Sequence, residues 1–177
     1  MGTSIYGAVQ AQLALGTVYN NIYKDYPKAR FWYQKAADQG SYRGHYNLAV
    51  AYNNKESSVY DPAKAVEHLK VAAEGGDADA QYWLGASYNP QAPELYKVGK
   101  DIRKKKQAYA IGAHGIKLLE MALKNGNYNA AYVLYGVYAF GWGTRVNEKL
   151  GREYLVMSAR GGCEGAIEHC RKFNINY

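Results

Sequence analysis

Small, leucine and tyrosine side chains recur along this chain at four-residue steps, in segments that each follow a glycine. Counting from Gly7, Gly40, Gly76 and Gly126, a small residue stands at the fourth place, leucine at the eighth and tyrosine at the twelfth. Steps of four follow one face of an α-helix, so each segment predicts a helix, here called helix A, with an apolar stripe. The columns are Ala11, Gly44, Ala80 and Ala130; Leu15, Leu48, Leu84 and Leu134; and Tyr19, Tyr52, Tyr88 and Tyr138.

A second helix, helix B, is predicted by counting backward from the closing glycines Gly40, Gly76, Gly126 and Gly162. Its stripe consists of Ala29, Ala65, Gly115 and Gly151 at eleven places, and Tyr33, Leu69, Leu119 and Leu155 at seven. Fifteen places before the glycines stand the predicted N-caps Asp25, Asp61 and Asn147. The closing glycines are predicted to end these helices in the left-handed conformation. In the third unit Ile111 cannot cap, so helix B is predicted to begin early, near Asp101.

The closing glycines lie 36, 50 and 36 residues apart, which indicates a regular two-helix unit with one insertion. We expect repeats at about 8–40, 41–76, 77–126 (with the insertion at 89–109) and 127–162, followed by a capping helix at 163–173. One unit cannot cover its own apolar stripe, so neighbouring units must stack. The pattern predicts an all-α protein in which residues 1–177 form a single solenoid domain.

Several phrases of the chain resemble the Sel-one-like repeat (SLR) family, a relative of the tetratricopeptide repeat. They are AQLALGTVY at 11–19, WYQKAA at 32–37, AQYWLG at 80–85 and GWG at 141–143. The resemblance covers nearly the whole chain and departs from the pattern at Gly44, at Tyr135 and in the inserted third unit. It implies a right-handed α/α superhelix whose A helices line a concave groove. It also implies roles in protein-complex assembly, signalling, and bacterial envelope or host-interaction processes.

The concave lining is predicted from helical offsets, because the third, sixth, tenth and thirteenth places turn away from the core within each repeat. The candidate partner-binding residues are Arg43 and Asp79 at the third place, Tyr46, Tyr82 and Tyr132 at the sixth, and Asn20, Asn53 and Asn89 at the thirteenth. An asparagine column can hydrogen-bond an extended peptide, and tyrosine adds apolar contact area at little entropic cost. The alternative is that the tyrosines pack between adjacent A helices.

The net charge of +7 is concentrated in the insertion. Residues 94–106 hold six basic side chains against Glu94 and Asp101, a net charge of +4. A nucleic-acid-binding protein would spread lysine and arginine along a continuous face, so we expect no nucleic-acid partner. The run Arg103, Lys104, Lys105 and Lys106 is interpreted either as a solvated charged turn or as a contact for an acidic protein surface.

The spacing of the reactive side chains favours no catalytic site. His45, His68, His114 and His169 belong to no metal-binding motif, and the consecutive His169 and Cys170 point to different sides of a helix. Cys163 and Cys170 lie seven residues apart in one predicted helix, too far for a disulfide. We therefore expect no enzyme, no cofactor and no metal. A cell-wall- or β-lactam-related enzyme is the alternative suggested by the resemblance, but the chain lacks the nucleophile and base.

The expected function is a non-enzymatic scaffold that binds another protein through the concave surface of its A helices. The resemblance also suggests an alternative, because several bacterial members look like immunity proteins that cover the active site of a secreted toxin, for example a lipase effector. We expect a monomer or a subunit of a hetero-complex, with no transmembrane segment. The resemblance favours the bacterial periplasm or secretion, provided that an export signal was trimmed.

Overall fold

The structure of the protein is a computed structural model that describes residues 2–88 and 102–177. Those residues contain helices but no strand, which confirms the all-α helical-repeat prediction. The chain divides into two compact units, one ending at Ala80 and the other beginning at Gln81. The helices are α1 (Gly2–Asn21), α2 (Tyr26–Asp38), α3 (Tyr42–Asn53), α4 (Pro62–Glu74), α5 (Ala78–Tyr88), α6 (Ile102–Lys124), α7 (Asn129–Phe140), α8 (Glu148–Arg160) and α9 (Glu164–Lys172).

The B helices α2, α4 and α8 begin at the predicted caps. The side chains of Asp25, Asp61 and Asn147 each accept a hydrogen bond of 3.1 Å from the backbone N–H three residues later. This bond satisfies one of the donors that the first helical turn leaves without a partner. The N-cap predictions are therefore confirmed, and α6 begins at Ile102, close to the predicted start near residue 101.

All four B helices end two residues before the predicted glycines, in turns that these glycines close. Gly40, Gly76, Gly126 and Gly162 have φ angles of +82°, +91°, +92° and +87°. A side chain with a Cβ atom is strained in this left-handed region, whereas glycine adopts it readily. The left-handed ends are thus confirmed, and each turn leads directly into the next A helix.

The N-terminal unit has its core around α2, which packs between α1 and α3. Ala29 and Tyr33 of α2 are buried, as are Leu48 and Tyr52 of α3, and Ala65 of α4 joins the same cluster. The predicted helix-B stripe therefore faces the core here, except that Leu69 is only half-buried. The alanine pair at the end of α2, Ala36 and Ala37, allows the neighbouring helix to approach closely.

The C-terminal unit repeats this arrangement twice. Leu119 and Ala122 of α6 pack with Ala130 and Leu134 of α7, all four fully buried. Farther along, Leu155 and Ala159 of α8 pack with Ala166 and Cys170 of α9. Helix α9 thus occupies the place of a fifth A helix and covers the apolar side of α8.

The first A helix contradicts the predicted pattern of burial. In α1 Ala11 is exposed and Leu15 is 40% exposed, although their columns were expected to be buried. Val9 and Leu13 face the core instead. The reason is that later A helices place the fourth and eighth columns against the preceding helix B, as Leu134 packs against α6. No helix B precedes α1 within the described residues.

The two departures from the family pattern have different local causes. A Cβ atom on Gly44 would lie 2.7 Å from the backbone nitrogen of Ala37, so glycine allows α3 to approach α2 more closely than alanine would. In the fourth repeat Tyr135 occupies the ninth place, and the small residue stands on helix B instead. A Cβ atom on Gly151 would lie 3.3 Å from the carbonyl oxygen of Tyr135.

Candidate protein-binding surfaces

Two of the predicted partner-binding residues, Arg43 and Asp79, bind each other. The Nη1 atom of Arg43 lies 2.6 Å from Oδ2 of Asp79, and its Nε atom lies 3.0 Å from Oδ2 of Asp77. The guanidinium also lies over the ring of Tyr46, 5.0 Å from the centroid. These contacts tie α3 to the start of α5 within the N-terminal unit. Arg43 therefore has a structural role that the sequence did not indicate.

Burial and charge act against each other in this cluster. Burial raises the pKa of the Asp77 carboxyl, although that group accepts a hydrogen bond from the Ala80 N–H and lies beside Arg43. Burial also opposes the charged form of Arg43, but the hydrogen bond to Asp79 and the two carboxylate charges outweigh it and raise the pKa of the guanidinium. Both carboxylates are engaged by Arg43, so the cluster is a poor primary contact for a charged partner.

The sixth-place tyrosines of the C-terminal unit are half-buried in helix packing. Tyr82 lies against the cluster around Leu119 and Leu134, and Tyr132 lies against the cluster around Ala166. Burial raises the pKa of both hydroxyls. This arrangement matches the packing interpretation of the tyrosine column for these two residues. Tyr46 is likewise half-buried.

The asparagine column is differently placed at each described position. Asn53 is exposed at the end of α3, whereas Asn20 is half-buried and donates a 2.7 Å hydrogen bond to Oδ1 of Asn21. Asn89 lies outside the described residues. Of the two described members, Asn53 is the more accessible to a partner.

The basic run lies on the first turns of α6. Arg103 and Lys106 are exposed, and the side chains of Lys104 and Lys105 are outside the described part of the chain. Asp101, the proposed cap of this helix, is outside it as well. The exposed pair is compatible with both interpretations of the run.

A cluster of exposed apolar side chains lies where α7 ends, and the sequence did not single it out. Tyr109, Phe140, Trp142 and Val146 are 40%, 61%, 37% and 57% exposed. They line a shallow cavity of about 520 Å³, with Arg145 and Thr144 at its polar side. We call these four apolar residues the aromatic patch. The sequence did contain an indication of this patch. Phe140 is an aromatic residue at the fourteenth place after its glycine, where the first two repeats carry the polar residues Asn21 and Asn54.

Trp142 is held in the aromatic patch by its neighbours. Its ring centroid lies 5.4 Å from that of Phe140, and a Cβ atom on Gly136 would lie 2.9 Å from Cζ3 of the indole. The indole thus covers the bare backbone of α7, while Gly141 and Gly143 adopt left-handed φ angles of +73° on either side of it. The short Gly-Trp-Gly phrase therefore folds one aromatic ring back onto the helix that precedes it.

Three of the histidines make polar contacts through their ring nitrogens. The Nδ1 atoms of His45 and His68 lie 3.0 Å apart, and His169 Nε2 lies 3.1 Å from the Tyr135 hydroxyl. Each of the His45 and His68 rings has its pKa lowered, mainly by burial. Within residues 2–88 and 102–177, no three histidine, cysteine or carboxylate side chains are grouped as metal ligands. None of the described helices is long and apolar enough to span a membrane.

Stacked pairs of helices with capped B helices, glycine-ended turns and buried small residues define a helical-repeat protein. The Sel1 repeat family model matches residues 9–41, 43–77, 78–127 and 129–163. These matches cover most of the chain, which therefore belongs to the Sel1 repeat family. The resemblance recognised in the sequence is confirmed.

Solved structures have the same fold. A Sel1 repeat protein from Oxalobacter formigenes is 25% identical, with a TM-score of 0.59 over 79% of this chain and 95% of that one. A putative Sel1 repeat protein from Klebsiella pneumoniae subsp. pneumoniae is 20% identical, with a TM-score of 0.52 over 97% of this chain and 80% of that one. The second likeness concerns the fold alone.

A curated relative is an uncharacterised protein of Neisseria meningitidis serogroup B. It is 34% identical over 70 residues, which make up 40% of this chain and 15% of the relative. The match thus spans a small part of that longer protein. Sel1 repeat proteins typically take part in protein–protein interactions and are generally non-enzymatic scaffolds.

Proposed function

We propose that this chain is a scaffold that binds another protein through exposed side chains of its A helices and of the loop that follows α7. The observation that carries the proposal is the aromatic patch. Large apolar side chains remain accessible there after the helices of the C-terminal unit have packed, with Phe140 61% exposed. Exposed clusters of this kind are typical of interaction sites, and tryptophan and tyrosine are enriched among the residues that dominate binding energy.

The geometry of the aromatic patch suits an apolar anchor from the partner. The shallow cavity is wide enough for one or two side chains, and Arg145 beside it can form an ion pair with an acidic residue at the rim. Trp142 is already oriented by its contacts with Phe140 and α7, so binding costs little side-chain entropy. The aromatic patch therefore offers an apolar contact area, and Arg145 beside it offers a charge that can orient the partner.

Exposed apolar side chains on other A helices support the same role. Val50 is 45% exposed on α3 in the N-terminal unit, one turn before the accessible Asn53. Trp83 is 55% exposed on α5 in the C-terminal unit, and its ring contacts Tyr82 edge to face at 5.3 Å. Each helix thus combines an apolar contact with a neighbouring polar group. By contrast, the half-buried Tyr82 and Tyr132 are better explained as supports of this surface than as contacts.

The preferred partner has an acidic surface. The chain carries a net charge of +7, and the exposed Arg145, Arg103 and Lys106 belong to the C-terminal unit that holds the aromatic patch. Exposed charges accelerate association and are screened by salt. We expect the affinity for the partner to fall as the ionic strength rises.

Affinity capture from the native cell, followed by mass spectrometry, tests the proposal with a matched pair of variants. Phe140→Ser removes the most exposed member of the aromatic patch. Phe31→Ser is the control, since Phe31 is 50% exposed but lies on a B helix. We expect the first variant to lose the partner that the wild type and the control retain. Equal capture of the partner by both variants would exclude the aromatic patch as the surface that contacts it.

The identity of the captured partner decides between a general scaffold and an inhibitor. A secreted hydrolase that loses activity when this chain is added would make the protein an immunity factor. A non-enzymatic partner would favour a role in complex assembly. Turnover of a substrate by the purified chain alone would contradict both.

A further inference from the structure

His45 of α3 and His68 of α4 form a close polar contact between the two helices of the second repeat. Their Nδ1 atoms lie 3.0 Å apart, and their ring centroids lie 5.2 Å apart. The centroids are farther apart than the nitrogens by nearly twice the distance from an imidazole centroid to its nitrogen, so the two Nδ1 atoms point toward each other. One neutral ring therefore donates its Nδ1–H to the Nδ1 atom of the other.

The ring of His68 is held in this orientation by Tyr52. The two rings stack at 5.6 Å with an interplanar angle of 5°. Tyr52 itself is buried in the core of the N-terminal unit. Since the histidine ring cannot turn without leaving the stack, its Nδ1 atom remains directed at His45. We call His45 and His68 the histidine pair.

The histidine pair is particular to the second repeat. His45 stands five places after its glycine, and His68 stands eight places before the closing one. At the same two places the first, third and fourth repeats carry Gln12 and Trp32, Gln81 and Leu118, and Ala131 and Tyr154. None of these side chains titrates near neutral pH, whereas histidine does. At these positions, only the second repeat can change its charge near neutral pH.

Two protons taken up by the histidine pair have different effects on the contact. The first can bind the Nε2 atom of the donating ring, which leaves the bond from Nδ1–H to Nδ1 in place and makes it charge-assisted. The second must bind the accepting Nδ1 atom, because the other nitrogen of that ring already carries a proton. Two N–H donors and two positive charges then face each other, so the rings must separate.

Charged groups from three helices act on the histidine pair. Asp38 of α2 favours the charged form of His45, and Glu67 of α4 favours that of His68. Lys64 of α4 and the charge of His45 oppose protonation of His68. Burial outweighs the carboxylates, so the pKa of each histidine is lowered. The pair is therefore neutral and bonded at neutral pH.

We propose that the histidine pair is a pH-sensitive contact that joins α3 to α4 and lets them separate locally when it takes up a second proton. Helix α3 also carries Val50 and the exposed Asn53. Acidification therefore loosens this part of the binding surface. That consequence rests on the proposed function, whereas the pH-sensitive contact itself does not.

Nuclear magnetic resonance of the full chain with ¹⁵N-labelled histidine, titrated between about pH 8 and 5, follows each ring nitrogen. We expect His45 and His68 to titrate in two coupled steps, with one Nδ1 atom that gains its proton only in the second. His45→Gln installs the side chain found in the first and third repeats and should leave a single step for His68. His114→Gln removes a histidine of the C-terminal unit and should leave both steps unchanged. Independent single steps for His45 and His68 in the wild type would overturn the proposal.

Backbone hydrogen exchange, measured by mass spectrometry, tests whether the helices separate. The wild type and His45→Gln are compared at the same pH, so that the intrinsic exchange rate cancels. Below about pH 6.5 the ratio of wild-type to variant exchange in α3 and α4 should rise by up to about tenfold per pH unit, because opening takes up one proton. His68→Gln should match His45→Gln, and circular dichroism verifies that both variants are folded.

Helices α7 and α8 belong to the C-terminal unit and serve as internal controls. Their exchange ratio should stay constant over the same pH range. A constant ratio in α3 and α4, or an equal rise in all four helices, would show that the histidine pair does not open the second repeat locally and would overturn the proposal.

Discussion

The A helices of the first and fourth repeats carry the same columns in opposite environments. In α1 Ala11 and Leu15 are accessible, and in α7 Ala130 and Leu134 are fully buried. Neither helix contains a charged residue. The difference shows that a repeat motif specifies a surface suited to packing, whereas the neighbouring helix B determines whether that surface is covered.

The same comparison separates local features from those that depend on neighbours. The caps of α2 and α8, Asp25 and Asn147, make the same 3.1 Å hydrogen bond in both repeats. Each cap involves residues only three positions apart, so the presence or absence of an adjacent repeat does not change it. Column burial, in contrast, requires a helix from another repeat.

The largest expected effect is the difference between two leucine truncations. Leu134→Ala should reduce the free energy of unfolding by about 2 to 5 kcal/mol, because it leaves a cavity in a fully buried cluster. Leu15→Ala, studied in dilute solution, should cost about 1 kcal/mol or less, because its side chain is already partly in water. Denaturant unfolding measures both. Equal losses would mean that the two columns are equally covered.

A second pair of variants tests the space around the alanine column. Ala130→Leu should destabilise the protein by about 1 to 3 kcal/mol, since the added atoms enter a filled core. Ala11→Leu in dilute solution should change the stability little, because alanine and leucine have similar helix propensities and the site is open. Thermal melting compares them. Tolerance of Ala130→Leu would show that the fourth repeat is loosely packed.

Removing a cap should affect the first and fourth repeats alike. Asn147→Ala should lower the stability by about 0.5 to 2 kcal/mol, since the Leu150 N–H loses its acceptor. Asp25→Ala should also lower the melting temperature, since it removes the bond to the Lys28 N–H and the ion pair with the Lys28 side chain. A loss of stability in only one of the two variants would contradict the view that each cap acts within its own helix.

The smallest expected effect is a pH dependence that belongs to the second repeat. Its helices α3 and α4 meet through His45 and His68, whereas those of the first repeat meet through Thr17 and Tyr33. Burial lowers the pKa of both histidines below the ordinary value near 6.5, partly offset by Asp38 near His45 and by Glu67 near His68, while Lys64 lowers the pKa of His68 further. Below that pH the unfolded chain takes up protons that the folded chain resists.

The stability contributed by neutral His45 and His68 is therefore complete above about pH 6.5 and declines as the pH falls toward their folded-state pKa values. Unfolding experiments between about pH 7.5 and 5 measure this slope. His45→Gln should make the slope shallower. An unchanged slope in that variant would assign the acid sensitivity to other groups.

Much of the candidate site could not be predicted from helical offsets. The offsets put Tyr46, Tyr82 and Tyr132 at the same place of three repeats, but they could not distinguish a side chain facing a partner from one filling the space beside the next helix. The aromatic patch was missed because its members come from α6, from the end of α7 and from the loop that follows. These segments are distant in sequence and meet only when the repeats stack.

Cap residues, closing glycines and the periodic small residues are readable in the amino-acid sequence because each acts within one turn or along one face of its own helix. They were enough to predict the helices, their order and the family. Which stripe is covered depended on the tertiary structure, as the exposed Leu15 and the buried Leu134 illustrate. Burial is a property of two surfaces in contact, and a helix sequence describes only one of them.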